Sequence, residues 1–482
     1  KDDNRVRRVT IEGVDPEIDG GRFAAKRGVG ETFIVQADVF TDGHDVISGV
    51  LLHRRESQRK WRETPLTPLV NDRFTAQFVP DELGPCVYTI QGWIDNYATW
   101  LRDLAKRVAA HQDLTVPLMI GAELIEKAAK LAKGDDRRGL KHFAKSLTSK
   151  DLDPDARAEA AENEELIRLM GVYHDRDSAT TYHKELRLWV DRPRAVFSTW
   201  YEMFPRSSWD GSGNPATFRE CEKRLDYVAD MGFDVLYLPP IHPIGRTFRK
   251  GKNNSLVAQD DDPGSPWAIG AKDGGHDSIH RDLGTEADFK RFVKKAADRG
   301  IDVALDIALQ CSPEHPYVTD HPEWFRWRPD GTIQYAENPP KKYQDIYPIE
   351  FESPDWRALW DELHRVFLHW ISLGVRIFRV DNPHTKPFRF WDFAWRNAQC
   401  DLTEYLKELT TTEPRHYFRP NFWPNTPDIL TEFLQNGGPP AFKSRLVLAA
   451  TLGANYGIYG PAFELMEHQP REHGSEEYLD SE

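Results

Sequence analysis

The sequence is short of cysteine and of basic charge, and it has no long apolar run. Its four cysteines, Cys86, Cys221, Cys311 and Cys400, are scattered, with no CxxC and no paired spacing. That excludes a disulfide framework and reads as reduced thiols in a cytoplasmic protein. Basic residues number 63 against 77 acidic, a net charge of −14. Such a balance disfavours nucleic acid and anionic membrane as partners, though not a local pocket for a small anion. The most apolar stretch, Leu446 to Phe463, contains Asn455 and several glycines and makes a poor membrane span. The charged start KDDNRVRR lacks the apolar core of a signal peptide. No GK[ST] follows Gly274-Gly275, so that pair reads as a turn and not as a phosphate loop.

What is there is length and aromatic content. The 482 residues suffice for two or three domains, and 15 Trp with 16 Tyr supply either sugar-stacking platforms or core. The first hundred residues alternate like strands in RVTIEGV, ETFIVQADVF, ISGVLLHR, RFTAQFV and CVYTIQGWID, separated by Gly, Asp and Pro. Short strands at this spacing predict a β-sandwich over residues 1–103. From there to about residue 180 the pattern turns helical. Leu124, Ala128 and Leu131 recur at helix spacing, and Asp153-Pro154 reads as a cap followed by proline at the first helical position. ELRLWV, within 181–193, predicts one more sandwich strand and a linker, which makes the helices an insert.

From Arg194 strands and helices alternate. The strands are VFSTWYEMF, DVLYLPPI, IDVALDIAL and GVRIFRV; the helices are Phe218 to Met231, Glu286 to Arg299 and Trp356 to Leu373. Strands apolar on both faces, joined by helices, predict a parallel sheet and an α/β domain over 194–482. The stretch Cys311 to Phe351 is long, rich in Pro, Trp and Tyr, and carries no clear helix; loops of that length are usually functional. His276 and His280 stand four apart without an evident third ligand, so no metal and no cofactor is expected. Asp260, Asp261 and Asp262 read as a solvated acidic loop.

The stretch Gly374 to Pro387, GVRIFRVDNPHTKP, carries the chemistry. Residues two apart on a strand share a face, so Arg379 and Asp381 point the same way as the strand runs out. An arginine beside a carboxylate favours its ionised form, which suits a nucleophile. The same pair also reads as a structural ion pair at a strand end.

This stretch resembles the nucleophile strand of the α-amylase superfamily of glycoside hydrolases, Arg-x-Asp at the end of the fourth barrel strand. RVDNPHTKP is similar to one branch, the α-1,4-glucan:maltose-1-phosphate maltosyltransferases. STWYEMFPRS, LPPIHPIGRTFRKGKNNSL, DIALQCSPEHP, AENPPKKYQDIYPIEF and RPNFWPNTPDIL match that branch too, from Ser198 to Leu430. Gln310-Cys311 after the third strand and Pro427 before the last aspartate depart from plain amylases and are normal in the branch. The resemblance implies a (β/α)8 TIM barrel with a small subdomain at about 311–351. It also implies a preceding sandwich whose helical insert serves a homodimer. The activity implied is transfer of a maltosyl unit from maltose 1-phosphate to the non-reducing end of an α-1,4-glucan, with retention. A hydrolase or transglycosidase that uses no phosphate is the alternative.

Retaining chemistry needs two carboxyl groups about 5 Å apart, a nucleophile and an acid/base. By resemblance Asp381 is the nucleophile, Arg379 orients it, and Asp428 is the third carboxylate that steadies transition-state charge. Thr426-Pro427-Asp428 reads equally as a helix start. Asn338, Lys341, Tyr343, Asp345 and Asn382 would hold the phosphate and the sugar nearest it, and Lys250 and Gln310 the sugar hydroxyls. Read without the resemblance, Lys341 and Lys342 are a solvated pair. Asp306 is expected to support the site structurally. The acid/base Glu is missing: nothing like the family's LAEAFTRP occurs, and RFWD runs directly into FAWRNAQC. Roughly one strand–helix unit of about 40 residues is therefore expected to be absent between Asp392 and Phe393, at about 30 residues per unit in an ordinary barrel. Glu404 and Glu408 lie on a polar helix face and do not replace it. The end at LDSE also reads as cut short. If the acid is truly deleted, an inactive glycan-binding scaffold is the remaining alternative.

Overall fold

In the computed structural model, which describes residues 7–208, 216–252, 255–382 and 412–479, the chain divides into two units. One is Lys1–Pro193 with Lys407–Phe418; the other is Arg194–Leu406 with Arg419–Glu482.

In the first unit, period-two alternation sorts residues to two faces. Phe33–Phe40 buries Phe33, Val35, Ala37 and Val39 and turns the residues between them outward. It pairs antiparallel with Thr10–Asp15 and with Arg73–Phe78. A second sheet centres on Gly84–Ile94, which pairs antiparallel with Ile47–Arg55 and with Leu186–Asp191. Phe33 and Val35 from one sheet pack with Leu51, Tyr88, Ile90 and Leu188 from the other in one core, the arrangement of a sandwich.

Between Gly84–Ile94 and Leu186–Asp191 run the helices Asn96–Ala109, Thr115–Leu131, Gly134–Thr148, Pro154–Ala161 and Glu164–Val172. Helix begins at Asn96, ahead of the position 104 read from the pattern, because the Asp95 carboxylate caps it, accepting from the Ala98 N–H at 2.8 Å. Asp153 caps Pro154–Ala161 in the same way. These helices bury Trp100, Leu118, Ile125, Leu140 and Leu166 in a core of their own. Gly121 lets Trp100 close in: a Cβ there would stand 2.0 Å from the indole Cζ2.

In the second unit six strands are all parallel. Their order is Ile377–Val380, Asp302–Ile307, Val235–Leu238, Ser198–Glu202, Asn455–Tyr459 and Asn421–Phe422. Leu236, Leu238, Val303, Leu305 and Ile307 face helices that contribute Phe218, Leu225, Phe289, Phe292 and Trp370. The alternate residues Val235, Tyr237 and Ala304 pack on the other face with Trp200, Ile377 and Trp423. Capping boxes at Thr217 with Glu220 and at Thr285 with Asp288 start the two helices Phe218–Asp230 and Glu286–Asp298. The central Val235–Leu238 strand is buried throughout, whereas Ile377–Val380 is half-buried at every position. Among the described residues no strand covers that edge or the Asn421–Phe422 edge. The helix before the first edge, Trp356–Ser372, leaves Trp356, Trp360, Leu368 and Ile371 exposed.

The long segment after Asp302–Ile307 is closed at its base by an antiparallel pair, Gln310 with Pro348 and Cys311 with Tyr347. It holds its own core of Cys311, Trp324, Phe325, Ile333 and Ile349. Its one α-helix among the described residues is the five-residue Pro316–Asp320.

Candidate active site

Arg379 and Asp381 stand where the edge strand ends, and Arg379 lies in register with Asp306 of the neighbouring strand. Arg379 Nη1 donates to Asp381 Oδ1 at 2.6 Å and to Asp306 Oδ2 at 2.9 Å. Asn382 Nδ2 donates to the other Asp381 oxygen at 3.1 Å. The Asp381 N–H donates to the Ile307 carbonyl at 3.0 Å. Asn382 has φ 43°, a left-handed conformation that asparagine tolerates better than most residues. Both carboxylate oxygens of Asp381 are thus held by side-chain donors, and the backbone is tied to the next strand.

Asp306 is 0% exposed. The Tyr237 hydroxyl also donates to its Oδ2, while its Oδ1 has no partner. Burial pushes the Asp306 carboxyl up to about 7, although Arg379 opposes the shift. Arg379 therefore bridges Asp381 and an aspartate that burial favours in its neutral form.

One residue of the cluster escaped the sequence reading. Glu202 ends the Ser198–Glu202 strand, in register with Tyr237 and Tyr459, and is 2% exposed. Burial pushes its carboxyl well above the usual range, Arg379 opposes, and Asp306 and Asp428 reinforce the rise. The signal was available in WYEMF, a charged residue at the C-terminal end of an otherwise apolar parallel strand, where sites of such sheets are built.

Asp428 lies in an exposed turn and accepts from Thr426 Oγ1 at 3.0 Å. It does not start a helix. The helix is Glu432–Leu452 with Thr431 at its cap, so the helix-start reading of Asp428 falls. Its charge and that of Arg379 both act on Glu202, so the two strand ends come within electrostatic reach of one buried carboxyl.

Other expected residues are distributed more widely. Lys250 is buried, and its charge acts on the buried Asp345, whose Oδ1 has no partner and whose carboxyl burial pushes upward. Gln310 Nε2 donates to the Trp267 carbonyl at 3.1 Å, and Tyr343 packs with Trp267 on Ile244, Ala268 and Ile346. Asn338 and Lys341 face each other across a hairpin, Ala336–Asn338 with Lys341–Tyr343, and both are exposed. Lys341 Nζ lies 3.6 Å from Glu477. No described contact joins these residues to Asp381 directly.

The histidines form a hydrogen-bond chain. His276, Cys311 and His315 bring ligand atoms within 4.8 Å of one another. His315 Nδ1 accepts from the Tyr317 N–H at 3.0 Å, so its Nε2 carries the proton and donates to His276 Nδ1 at 2.9 Å. His276 Nε2 then donates to the Ala308 carbonyl at 2.9 Å. Each imidazole nitrogen is used, and burial keeps both rings neutral. His280 instead accepts from the Asp282 N–H. Gly275 admits His315, whose Nε2 would stand 2.3 Å from a Cβ there. In the acidic loop Asp262 is not solvated: it is 4% exposed and accepts from the Gln259 N–H at 2.6 Å. The Asp392–Phe393 junction, Cys400, Glu404 and Glu408 lie outside the described residues.

Comparison with known proteins places the chain. Residues 7–192 match the family model of α-1,4-glucan:maltose-1-phosphate maltosyltransferase, domain N/S. The α-1,4-glucan:maltose-1-phosphate maltosyltransferase of Chlorobaculum tepidum is 52% identical over 516 residues, covering 99% of this chain and 77% of that protein. The enzyme of the same name from Methylacidiphilum infernorum is 47% identical over 516 residues, with the same coverage. A maltogenic α-amylase from Thermotoga neapolitana superposes with a TM-score of 0.41 at 20% identity, covering 58% of this chain and 71% of that one. Each of the two sequence matches runs over 516 residues against the 482 of this chain, so at least 34 positions have no counterpart here. At 52% identity across nearly its whole length, the chain belongs to the α-1,4-glucan:maltose-1-phosphate maltosyltransferase family.

Proposed function

We infer that this chain moves a maltosyl unit from maltose 1-phosphate to the non-reducing end of an α-1,4-glucan, releases phosphate, and retains the anomeric configuration. The observation that carries the reading is Asp381, fixed by Arg379 at 2.6 Å and by Asn382 at 3.1 Å at a strand end, in a member of this family. Two donors hold the carboxylate in one orientation, as attack on an anomeric carbon requires.

In this reading Asp381 attacks the anomeric carbon, the bond to the phosphate oxygen breaks, and phosphate leaves with the electron pair. A β-maltosyl-enzyme results. A hydroxyl at the end of the glucan then attacks the same carbon, giving its proton to the family's acid/base glutamate, which these 482 residues do not hold in that setting, and Asp381 departs. Asp428 steadies the positive charge of both transition states. Lys341, Asn338, Tyr343 and Asp345 take the phosphate and the adjoining sugar with Asn382, while Lys250 and Gln310 take sugar hydroxyls. The strand order reads as strands four, three, two, one, eight and seven of a (β/α)8 barrel, with the 311–351 segment folded over its mouth. The sandwich and its helical insert would serve a cytoplasmic homodimer.

The test uses a 2-deoxy-2-fluoro maltosyl donor, which should label Asp381, and Asp381→Ala, which should bind donor and lose turnover. Label on any other carboxylate sinks the assignment. One observation favours a second reading, an inactive glycan-binding protein: the 482 residues hold no acid/base Glu in the family's setting. No label and no phosphate release from the wild type would select it.

A further inference from the structure

Glu202 has no part in the chemistry just described. Its strand alternates, so Trp200 and Glu202 share the face on which Tyr237 and Ala304 pack, not the face under the helices. The carboxyl stands at the C-terminal end of a parallel strand, the end at which such sheets place their sites. It is 2% exposed, and no described residue hydrogen-bonds it.

The charged and titratable groups facing it are Arg379, Asp306, Asp428, Tyr237 and Tyr478. Arg379 is the one cation among them, and its guanidinium already donates to Asp306 and Asp381. A buried carboxylate without a cation of its own or a hydrogen bond is costly, so the neutral acid is the stable form. The neutral acid offers one O–H donor and an acceptor. A buried donor left unpaired is itself costly, which calls for a partner from outside the protein. Asp306 and Asp428 beside it both raise its carboxyl, an environment that disfavours an anion. The partner is therefore an uncharged group that both accepts and donates, which is what a sugar hydroxyl does.

We propose that Glu202 is a sugar-binding group of this site, a neutral carboxylic acid that exchanges hydrogen bonds with a hydroxyl of the sugar held over Asp381. The proposal rests on the reading of Asp381 as a nucleophile toward a sugar. It goes beyond that reading by adding a fourth carboxyl, one that recognises the substrate and is not ionised.

Two readouts test it on the whole chain without requiring turnover. Infrared difference spectra between wild type and Glu202→Gln should contain a protonated-carboxyl band at neutral pH. Calorimetry with maltose, which carries no leaving group and does not react, should give Glu202→Gln within about threefold of wild type, because an amide N–H replaces the O–H. Glu202→Ala should bind about tenfold more weakly, the worth of one neutral hydrogen bond. The Gln variant keeps the shape, so the test survives if the Ala variant fails to fold. Absence of the band overturns the proposal, and so does a Gln variant that loses more than tenfold. Wild type that binds maltose while Glu202→Ala binds it equally well overturns this inference alone. Wild type that shows the band and binds no maltose overturns the sugar-site reading beneath it.

Discussion

Replacing Asp306 with asparagine should remove a large part of the protein's loss of stability toward neutral pH. Asp306 is fully buried, donates nothing as a carboxylate, and leaves Oδ1 without a partner. Its carboxyl is pushed from 3.8 to about 7, chiefly by burial. The folded state therefore keeps a proton between about pH 4 and pH 7 that the unfolded chain has released. Stability from this group is complete below the lower value and is lost as pH rises through the upper one. Three pKa units at 1.36 kcal/mol each amount to about 4 kcal/mol. Asparagine can still accept from Arg379 or Tyr237, and it carries no titrating proton. The assay is denaturant unfolding of both proteins, followed by tryptophan fluorescence at several pH values. The gap between them should move in favour of Asp306→Asn by about 4 kcal/mol from about pH 4 to pH 7, and then stay constant. Glu202 titrates in both proteins and largely cancels. A gap that is flat with pH, or that moves the other way, would refute the account of Asp306 as an acid kept by burial.

Lys341→Ala should lower kcat/KM with maltose 1-phosphate by about ten- to a hundredfold, from the loss of one charge-assisted bond, and should cost far less with maltosyl fluoride. Equal losses on the two donors would show that Lys341 does not read the phosphate. Gly121→Ala should destabilise the helical part of the first unit by about 1–3 kcal/mol through overpacking, because the indole of Trp100 is pinned by its bond to the Pro117 carbonyl at 2.7 Å and cannot swing aside; an unchanged melting temperature would contradict that packing. Purified from its natural source, the protein should weigh more than 55.6 kDa and yield a peptide resembling AEAF. A protein of 55.6 kDa that releases no phosphate from maltose 1-phosphate would select the glycan-binding scaffold instead; rapid transfer to glucan at that mass would refute the need for the missing glutamate, a base worth about 10²–10⁴-fold.

Periodicity made the framework legible. FIVQADVF and VLYL could be sorted into half-buried and fully buried strands from their own letters, and Asp153-Pro154 marked a helix start because its chemistry is local. Asp95 was missed as a cap because the apolar CVYTIQGWID strand runs straight into it. What stayed illegible depended on how particular turns close and on contacts with other segments. Asp262 looks solvated in a run of three acids, yet it is buried and accepts from the Gln259 N–H. Asp428 looks like a helix start in Thr-Pro-Asp, and the turn closed by Thr426 and Ile429 moves the start to Glu432. Glu202 was hidden because a lone acid in an apolar strand looks like a strand end, and its charge environment is set by Arg379, 177 positions along the chain.

The sequence lacks the glutamate motif that follows the fourth strand in the family, and the described sheet runs out at that strand. The consequences are local and physical. Ile377–Val380 is half-buried where its neighbours two strands in are wholly buried. The helix that feeds it exposes Trp356, Trp360, Leu368 and Ile371, spaced to lie along one side. On the opposite edge, the helix after Asn421–Phe422 exposes Phe433, Val447 and Leu448. The relatives' matches contain at least 34 positions absent here, close to the size of one strand with its helix. We propose that the unit expected between Asp392 and Phe393 accounts for much of that difference in length. The supports of Asp381 all lie among the described residues: Asp306 and the Ile307 carbonyl belong to the neighbouring strand, Arg379 to the strand before it, and Asn382 follows it. Asp381 is therefore fully held by these neighbours.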